Sequence, residues 1–192
     1  MLKHVLAIAA ALALGAVNPA AADDIADCQS AIPNLQIRGC TNLIDAKRLK
    51  GDNLANIYAN RAVAYGAIGD FDRAIADLDK AIEIKPDYTL AYSNRGYFYR
   101  SKGDLDRAIS DFNRAVEIKP DDAIAINNRG VAYLEKGDYD RAIADLDEAI
   151  ESKPDYADAY ANRSIAYRHE GDTGRAGADC KKARSIDADI KC

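Results

Sequence analysis

The sequence predicts an all-α solenoid of stacked antiparallel helix pairs, and three observations carry that expectation. Pro86, Pro120 and Pro154 recur every 34 residues, as do Gly69, Gly103, Gly137 and Gly171, and Tyr65, Tyr99, Tyr133 and Tyr167. A fixed period of that length is the mark of a stacked repeat. Within each period, apolar and small residues fall at helical spacing twice, as in Tyr92, Gly96 and Tyr99 and then Ala108, Phe112 and Ala115. Between the two segments stands Gly-Asp (Gly103-Asp104, Gly137-Asp138), where glycine can take the left-handed turn that ends one helix and aspartate can cap the next.

Taken in order, the first residues read as an address. Lys3 and His4 precede the apolar run Val5 to Val17 and the small residues Ala20, Ala21 and Ala22, the pattern of a cleavable signal peptide over residues 1–22. That run is too short for a membrane span and no second one follows, so the mature chain is expected to be soluble and periplasmic or secreted. Cys28 follows Ile25, Ala26 and Asp27 rather than a small-residue motif, which argues against a lipidated cysteine. Residues 23–54 read as a degenerate N-terminal helix pair, because Arg38 to Ala46 has the pattern of Arg73 to Ala81. A short helix over 24–31 would complete it. Four repeats follow without insertion, 55–88, 89–122, 123–156 and 157–190, with a tail to Cys192. Asp72, Asp106 and Asp140 fall in the first turn of each second helix, where the helix dipole favours an acid. Lys-Pro-Asp closes the repeats, since proline cannot continue a helix and restricts the residue before it. A mature chain of this length is expected to build one domain with a sizeable core.

These residues resemble the tetratricopeptide repeat: an aromatic near the start, a small residue four places on, then tyrosine, glycine, alanine, an aromatic or leucine, alanine and proline. The match covers 55–190 and holds eight places in register through four repeats. It departs at Ala62 and Ser164 for glycine, at Cys180 for the bulky residue and at Ala188 for proline, so the last repeat is the least regular. The resemblance implies a right-handed superhelix whose first helices line a concave groove. It also implies that an asparagine row, Asn60, Asn94, Asn128 and Asn162, holds the backbone of an extended peptide there. A carboxamide suits that task, because it offers a donor and an acceptor without reading side chains. The competing reading is that these asparagines support neighbouring helices through local bonds.

Tyr97, Arg100, Asn127 and Arg168 are expected to share the asparagine face, with Ala59, Val63, Ser93, Val131, Leu134, Ala161 and Ile165 completing a mostly uncharged groove. Tyr97 is its candidate aromatic platform. The family's chaperone-tail receptors clamp a carboxylate with lysines; Ala59, Val63, Leu90 and Ser93 stand at the matching places, so no such clamp is expected. One helical step from the asparagines, Arg61, Arg95, Arg129 and Arg163 should turn into the helix pair and meet Asp77, Asp111, Asp145 and Asp179, since an internal arginine needs an acid to offset desolvation.

The formal net charge of -5 becomes -6 without Lys3, which argues against a non-specific hold on nucleic acid. No nucleophile with a base and no phosphate-cradling loop stands outside the repeat pattern, so neither an enzyme nor a cofactor is expected. His169 is the one histidine of the mature chain and the cysteines are widely spaced, so no metal site is expected. In an exported chain, four cysteines point to disulfides with three possible connectivities. Cys28 with Cys40 and Cys180 with Cys192 would close the two ends of the stack, where a solenoid exposes core. The functional expectation is a non-catalytic scaffold that binds an extended segment of a partner protein in the groove. A self-associating structural protein of the cell envelope is the alternative.

Overall fold

A computed structural model describes the backbone of residues 19–192, and most of the expected signal peptide lies outside the described residues. The described residues form ten helices and no strand, which is the all-α class expected. The chain divides into two compact units, Met1–Lys102 and Gly103–Cys192. The division falls at the turn of the repeat 89–122, whose first helix belongs to one unit and whose second helix belongs to the other.

The first unit contains α1 (Pro19–Cys28), α2 (Pro33–Asp45), α3 (Gly51–Ala67), α4 (Phe71–Ile84) and α5 (Thr89–Ser101). Consecutive helices pack on one another, so α1 with α2 and α3 with α4 make two hairpins and α5 lies on α4. The short helix expected over 24–31 is instead α1, ending at Cys28. Ser30 Oγ accepts the Ile32 N–H at 3.1 Å, and Pro33 is pre-set to open the next helix, so the chain turns early. Gly39 lets α2 meet α1 backbone to backbone, since a Cβ there would fall 2.5 Å from Asp24 O and Cys28 N. Beside it the buried Cys28 and Cys40 stand at bonding distance, with Cα atoms 4.6 Å apart. The main core of this unit is built from small residues, Ala55, Ala59, Ala62, Ala74, Ala81 and Ala91, closed by Tyr65, Leu78 and Phe98. Gly66 on α3 sits under the Phe98 ring, where an added Cβ would be 2.3 Å from Cε1.

The second unit contains α6 (Leu105–Ile118), α7 (Ala123–Lys136), α8 (Tyr139–Ser152), α9 (Ala157–His169) and α10 (Thr173–Ile186). Here α7 with α8 and α9 with α10 are the hairpins, and α6 packs on α7. Ala123, Ile126, Leu146, Ala149, Tyr156 and Ala159 form its core. Ser164 replaces the small glycine of the pattern and is tolerated because its hydroxyl donates to Ala176 O at 2.9 Å. Where α8 offers Leu146 and Ile150 to the helix that follows, α10 carries Cys180 and Arg184, and the tail brings Cys192 to Cys180 with Cα atoms 5.7 Å apart.

The pairs α3–α4, α7–α8 and α9–α10 turn the same way. Gly69, Gly137 and Gly171 take φ of 80°, 82° and 83°, the left-handed region that only glycine enters without strain. Asp70, Asp138 and Asp172 then cap the next helix by accepting from the backbone N–H of Arg73, Arg141 and Arg175. Those arginines fold back onto the capping carboxylates and lie over Tyr65, Tyr133 and Tyr167 at 4.5, 4.6 and 4.2 Å from the ring centroids. The arginine side-chain bond chiefly holds the Asp70 and Asp138 carboxyls below the ordinary carboxylate value; for Asp172 the Arg175 backbone N–H is the larger cause.

Two predictions follow from this packing. Gly66→Ala should destabilise the fold by about 1–3 kcal/mol in urea unfolding through overpacking, whereas Gly177→Ala, with nothing within 4 Å of the added Cβ, should leave it unchanged or slightly stronger. The capping carboxyls bind protons more weakly folded than unfolded, so their stabilisation is complete above the ordinary carboxylate pKa and fades as pH falls through the lowered value. Between about pH 5 and about pH 1 the melting temperature of an Asp70→Asn/Asp138→Asn/Asp172→Asn variant should therefore fall less than that of the wild type.

Candidate functional site

In the first unit the residues expected to line a groove come from α3 (Ala59, Asn60, Val63) and α5 (Ser93, Asn94, Tyr97, Arg100), and Ala59 lies in the core. The expectation was an open row of carboxamides, and the structure sets them deeper: Asn60 is 3 % and Asn94 2 % exposed. Alanine and glycine on α3 and α5 are the cause, because short side chains let neighbouring helices close over the polar row. Two buried side-chain atoms lack a hydrogen-bond partner among the described residues, Asn60 Oδ1 and Asn94 Nδ2. Each such orphan costs about 1–3 kcal/mol. One is an acceptor and the other a donor, the complements of a peptide N–H and C=O. Tyr97 is also largely buried, with the Arg100 guanidinium 5.4 Å from its ring centroid, so its ring is packed rather than presented as a bare platform.

In the second unit the same places belong to α7 (Asn127, Asn128, Val131, Leu134) and α9 (Ala161, Asn162, Ile165, Arg168). Asn127 and Asn128 are buried, Asn162 is half-buried and Arg168 is exposed. Here one member of the row bonds to a flanking asparagine, for Asn162 Nδ2 donates to Asn127 Oδ1 at 3.0 Å. Spacing did not reveal that bond. Its only trace is the doublet Asn127-Asn128, where the other repeats have Ala59, Ser93 or Ala161 before the ladder asparagine.

The arginines next to the asparagines turn inward. Arg61 donates to both oxygens of Asp77 at 2.7 and 2.8 Å, Arg129 to both of Asp145 at 2.8 and 2.7 Å, and Arg163 to both of Asp179 at 2.7 Å. A further donor reaches the preceding helix pair: Arg61 meets Thr41 Oγ1 at 3.0 Å, Arg129 meets Asn113 at 3.1 Å and Arg163 meets Asp147 at 2.5 Å. Arg95 likewise reaches Asp79 at 2.6 Å. The aspartate bond is the main reason that the guanidinium pKa of Arg61, Arg129 and Arg163 is pushed up. The second partners were missed in the sequence, although Asp79, Asn113 and Asp147 recur with the period. Tyr88 closes the other edge of α3 by donating to Asn56 Oδ1 at 2.7 Å, and burial pushes its phenol up to about 12.

Open depressions lie at the turns, one lined by Lys136, Gly137, Asp138 and Glu170, another by Ile68, Asp70, Phe71 and Lys102. Of their ionic groups, Asp70 and Asp138 cap helices, and Lys102 and Lys136 pair with Asp72 and Asp106. Among the described residues no three metal-ligating side chains converge, and no helix is long and apolar enough to cross a membrane.

Two family models, both described as tetratricopeptide repeat, match residues 96–176 and 60–123. No curated protein matches the sequence. Among solved structures, a crystal structure of MamA is 23% identical with a TM-score of 0.75, over 86% of this chain and 94% of that one. MamA 41-end from Desulfovibrio magneticus RS-1 is 16% identical with a TM-score of 0.78, over 92% of this chain and 100% of that one. At these identities the likeness shows the fold that the chains share.

Removing one partner of an internal bridge should be costly, because a part-buried guanidinium is left without its carboxylate. Asp145→Ala is expected to lower unfolding stability by about 1.5–3 kcal/mol, while Glu83→Ala, at an exposed pair with Lys80, should change it by less than about 0.5 kcal/mol. Denaturant unfolding monitored by circular dichroism measures both.

Proposed function

This chain belongs to the tetratricopeptide-repeat family, and on that premise we propose that it is a non-catalytic scaffold that holds an extended segment of a partner protein. The observation that carries the reading is the pair of orphan atoms in the first unit. Asn60 Oδ1 needs a donor and Asn94 Nδ2 needs an acceptor, and they stand on the first helices of consecutive repeats. A main-chain peptide unit supplies one of each, and on this reading the side chains covering the two carboxamides move aside to admit it. Ala59, Val63 and Ser93 around them carry no charge, which favours an uncharged, partly apolar segment over an acidic tail.

The signal-peptide pattern and the two cysteine pairs at bonding distance support an exported protein working in the periplasm or outside the cell, so the partner is an envelope or secreted protein. End-to-end self-association is the weaker reading. Cys180 and Arg184 on α10 occupy places where α8 presents Leu146 and Ile150, so that end offers little apolar surface to a second copy.

The test is the Asn60→Ala/Asn94→Ala variant, titrated beside the wild type with a fluorescein-labelled, reduced and carboxymethylated lactalbumin as unfolded polypeptide. Binding should weaken by about tenfold or more, equivalent to about 1.4 kcal/mol. The melting temperature should stay level or rise, because two unsatisfied buried groups have been removed. Unchanged binding, or a fall in melting temperature with binding retained, would make the asparagines structural. A pull-down from envelope extract with both proteins then identifies the natural partner as the material lost with the variant.

A further inference from the structure

The two cysteine pairs have the same spacing of 12 residues and opposite surroundings. Cys28 and Cys40 are 0 % exposed and packed with Leu43, Leu49 and Ile57, and Gly39 presses the α2 backbone against Cys28. Cys28 is also the last residue of α1, where the unpaired carbonyls of the helix end disfavour a thiolate. Cys180 and Cys192 are instead half-buried. Lys181 and Lys182 follow Cys180, Arg184 stands one turn on and Lys191 precedes Cys192. These four cations are exposed, and none has an ion-pair partner among the described residues. Asp187 and Asp189 are the acids of the tail, while the nearby Asp179 is held by Arg163. The tail itself is lightly held. Among the described residues, 188–191 hydrogen-bond only to Asp187, through the N–H groups of Asp189 and Ile190.

We infer that the Cys180–Cys192 bridge is a thiol-exchange site, which a dithiol opens while Cys28–Cys40 stays closed, and that opening it frees residues 188–192 from α10. Loops of equal length carry equal chain entropy, so the difference between the bridges lies in access and charge. A thiolate of the dithiol attacks one sulfur of the bridge, forms a mixed disulfide and releases the other sulfur as a thiolate. The four cations favour that thiolate and make it a better leaving group. The second thiol of the reagent then displaces the remaining protein sulfur. The reagent leaves as its own disulfide, and the protein has gained two electrons and two protons as the thiols of Cys180 and Cys192. At the first pair the same attack must begin with α1 parting from α2, which exposes packed apolar surface. The freed Cys180 stands where α8 presents Leu146 to the helix that follows, so the opened end carries a reactive thiol at the place through which repeats join.

The experiment has two readouts. The oxidised protein is exposed to dithiothreitol under native conditions, quenched with N-ethylmaleimide at intervals and mapped by peptide mass spectrometry. Cys180 and Cys192 should be labelled about tenfold faster than Cys28 and Cys40, or more. In protein labelled with nitrogen-15, the heteronuclear Overhauser effect of the amides of 188–192 should then drop to the values of a mobile segment once the bridge is opened, while those of α9 stay unchanged. Cys192→Ser, which cannot form the bridge, should show the same mobile tail without any reductant. Labelling of Cys180 and Cys192 before dithiothreitol is added overturns the inference, because no bridge then stands there to open. Labelling of the two pairs at one rate, or of Cys28 and Cys40 first, overturns it as well. A tail that stays ordered both after reduction and in Cys192→Ser overturns the release.

Discussion

Everything about the candidate site follows from where one charged side chain is placed in the pairs α3–α4, α7–α8 and α9–α10. Arg61, Arg129 and Arg163, each following a ladder asparagine, are drawn into the pair by a two-pronged bond to Asp77, Asp145 and Asp179 on the second helix. Adjacent residues on a helix point about 100° apart. With the arginine pinned inward, the asparagine is turned toward the neighbouring first helix. Burying a charge is costly, and such a pair gains little net stability over apolar packing. What it supplies is a rotation setting for the helix, and the further bonds to Thr41, Asn113 and Asp147 pass that setting to the preceding helix pair.

The second constraint is closeness. These helices meet through alanine, glycine and serine, so the backbones approach until a ring or a carbonyl fills the space, as Phe98 does over Gly66. Tight approach buries apolar area, yet it also draws the carboxamides out of water. The two units resolve this differently: one leaves an acceptor and a donor unmatched, and the other supplies an asparagine to an asparagine. An unmatched pair is a standing cost of the folded state, and the proposed peptide would remove it by supplying one donor and one acceptor.

The ends obey a different need. A stack of repeats leaves its terminal helices with one face uncovered. At the start, α1 is drawn against α2 through Gly39 and the cysteine pair beside it; at the finish, α10 exchanges apolar residues for Cys180 and Arg184 while the tail folds back to Cys180. Both devices place small or polar groups where an interior repeat would place leucine or isoleucine.

How much of this was legible in the sequence divides along the range of the interaction. The helices, their glycine turns and their aspartate caps could be read from the period alone, because each depends on a few neighbouring residues whose backbone preferences are intrinsic. The pairing of Arg61, Arg129 and Arg163 with aspartates sixteen residues on was also legible, since both partners lie within one repeat and recur together. The early end of α1, the depth of Asn60 and Asn94, and the bond between Asn127 and Asn162 were not. The sequence by itself determined which residues form each helix pair and which side of the first helix carries the carboxamides. Only the tertiary structure decided which carboxamides remain unsatisfied, because that depends on how near two helices from different repeats come, and a change of about an ångström there makes or breaks a hydrogen bond.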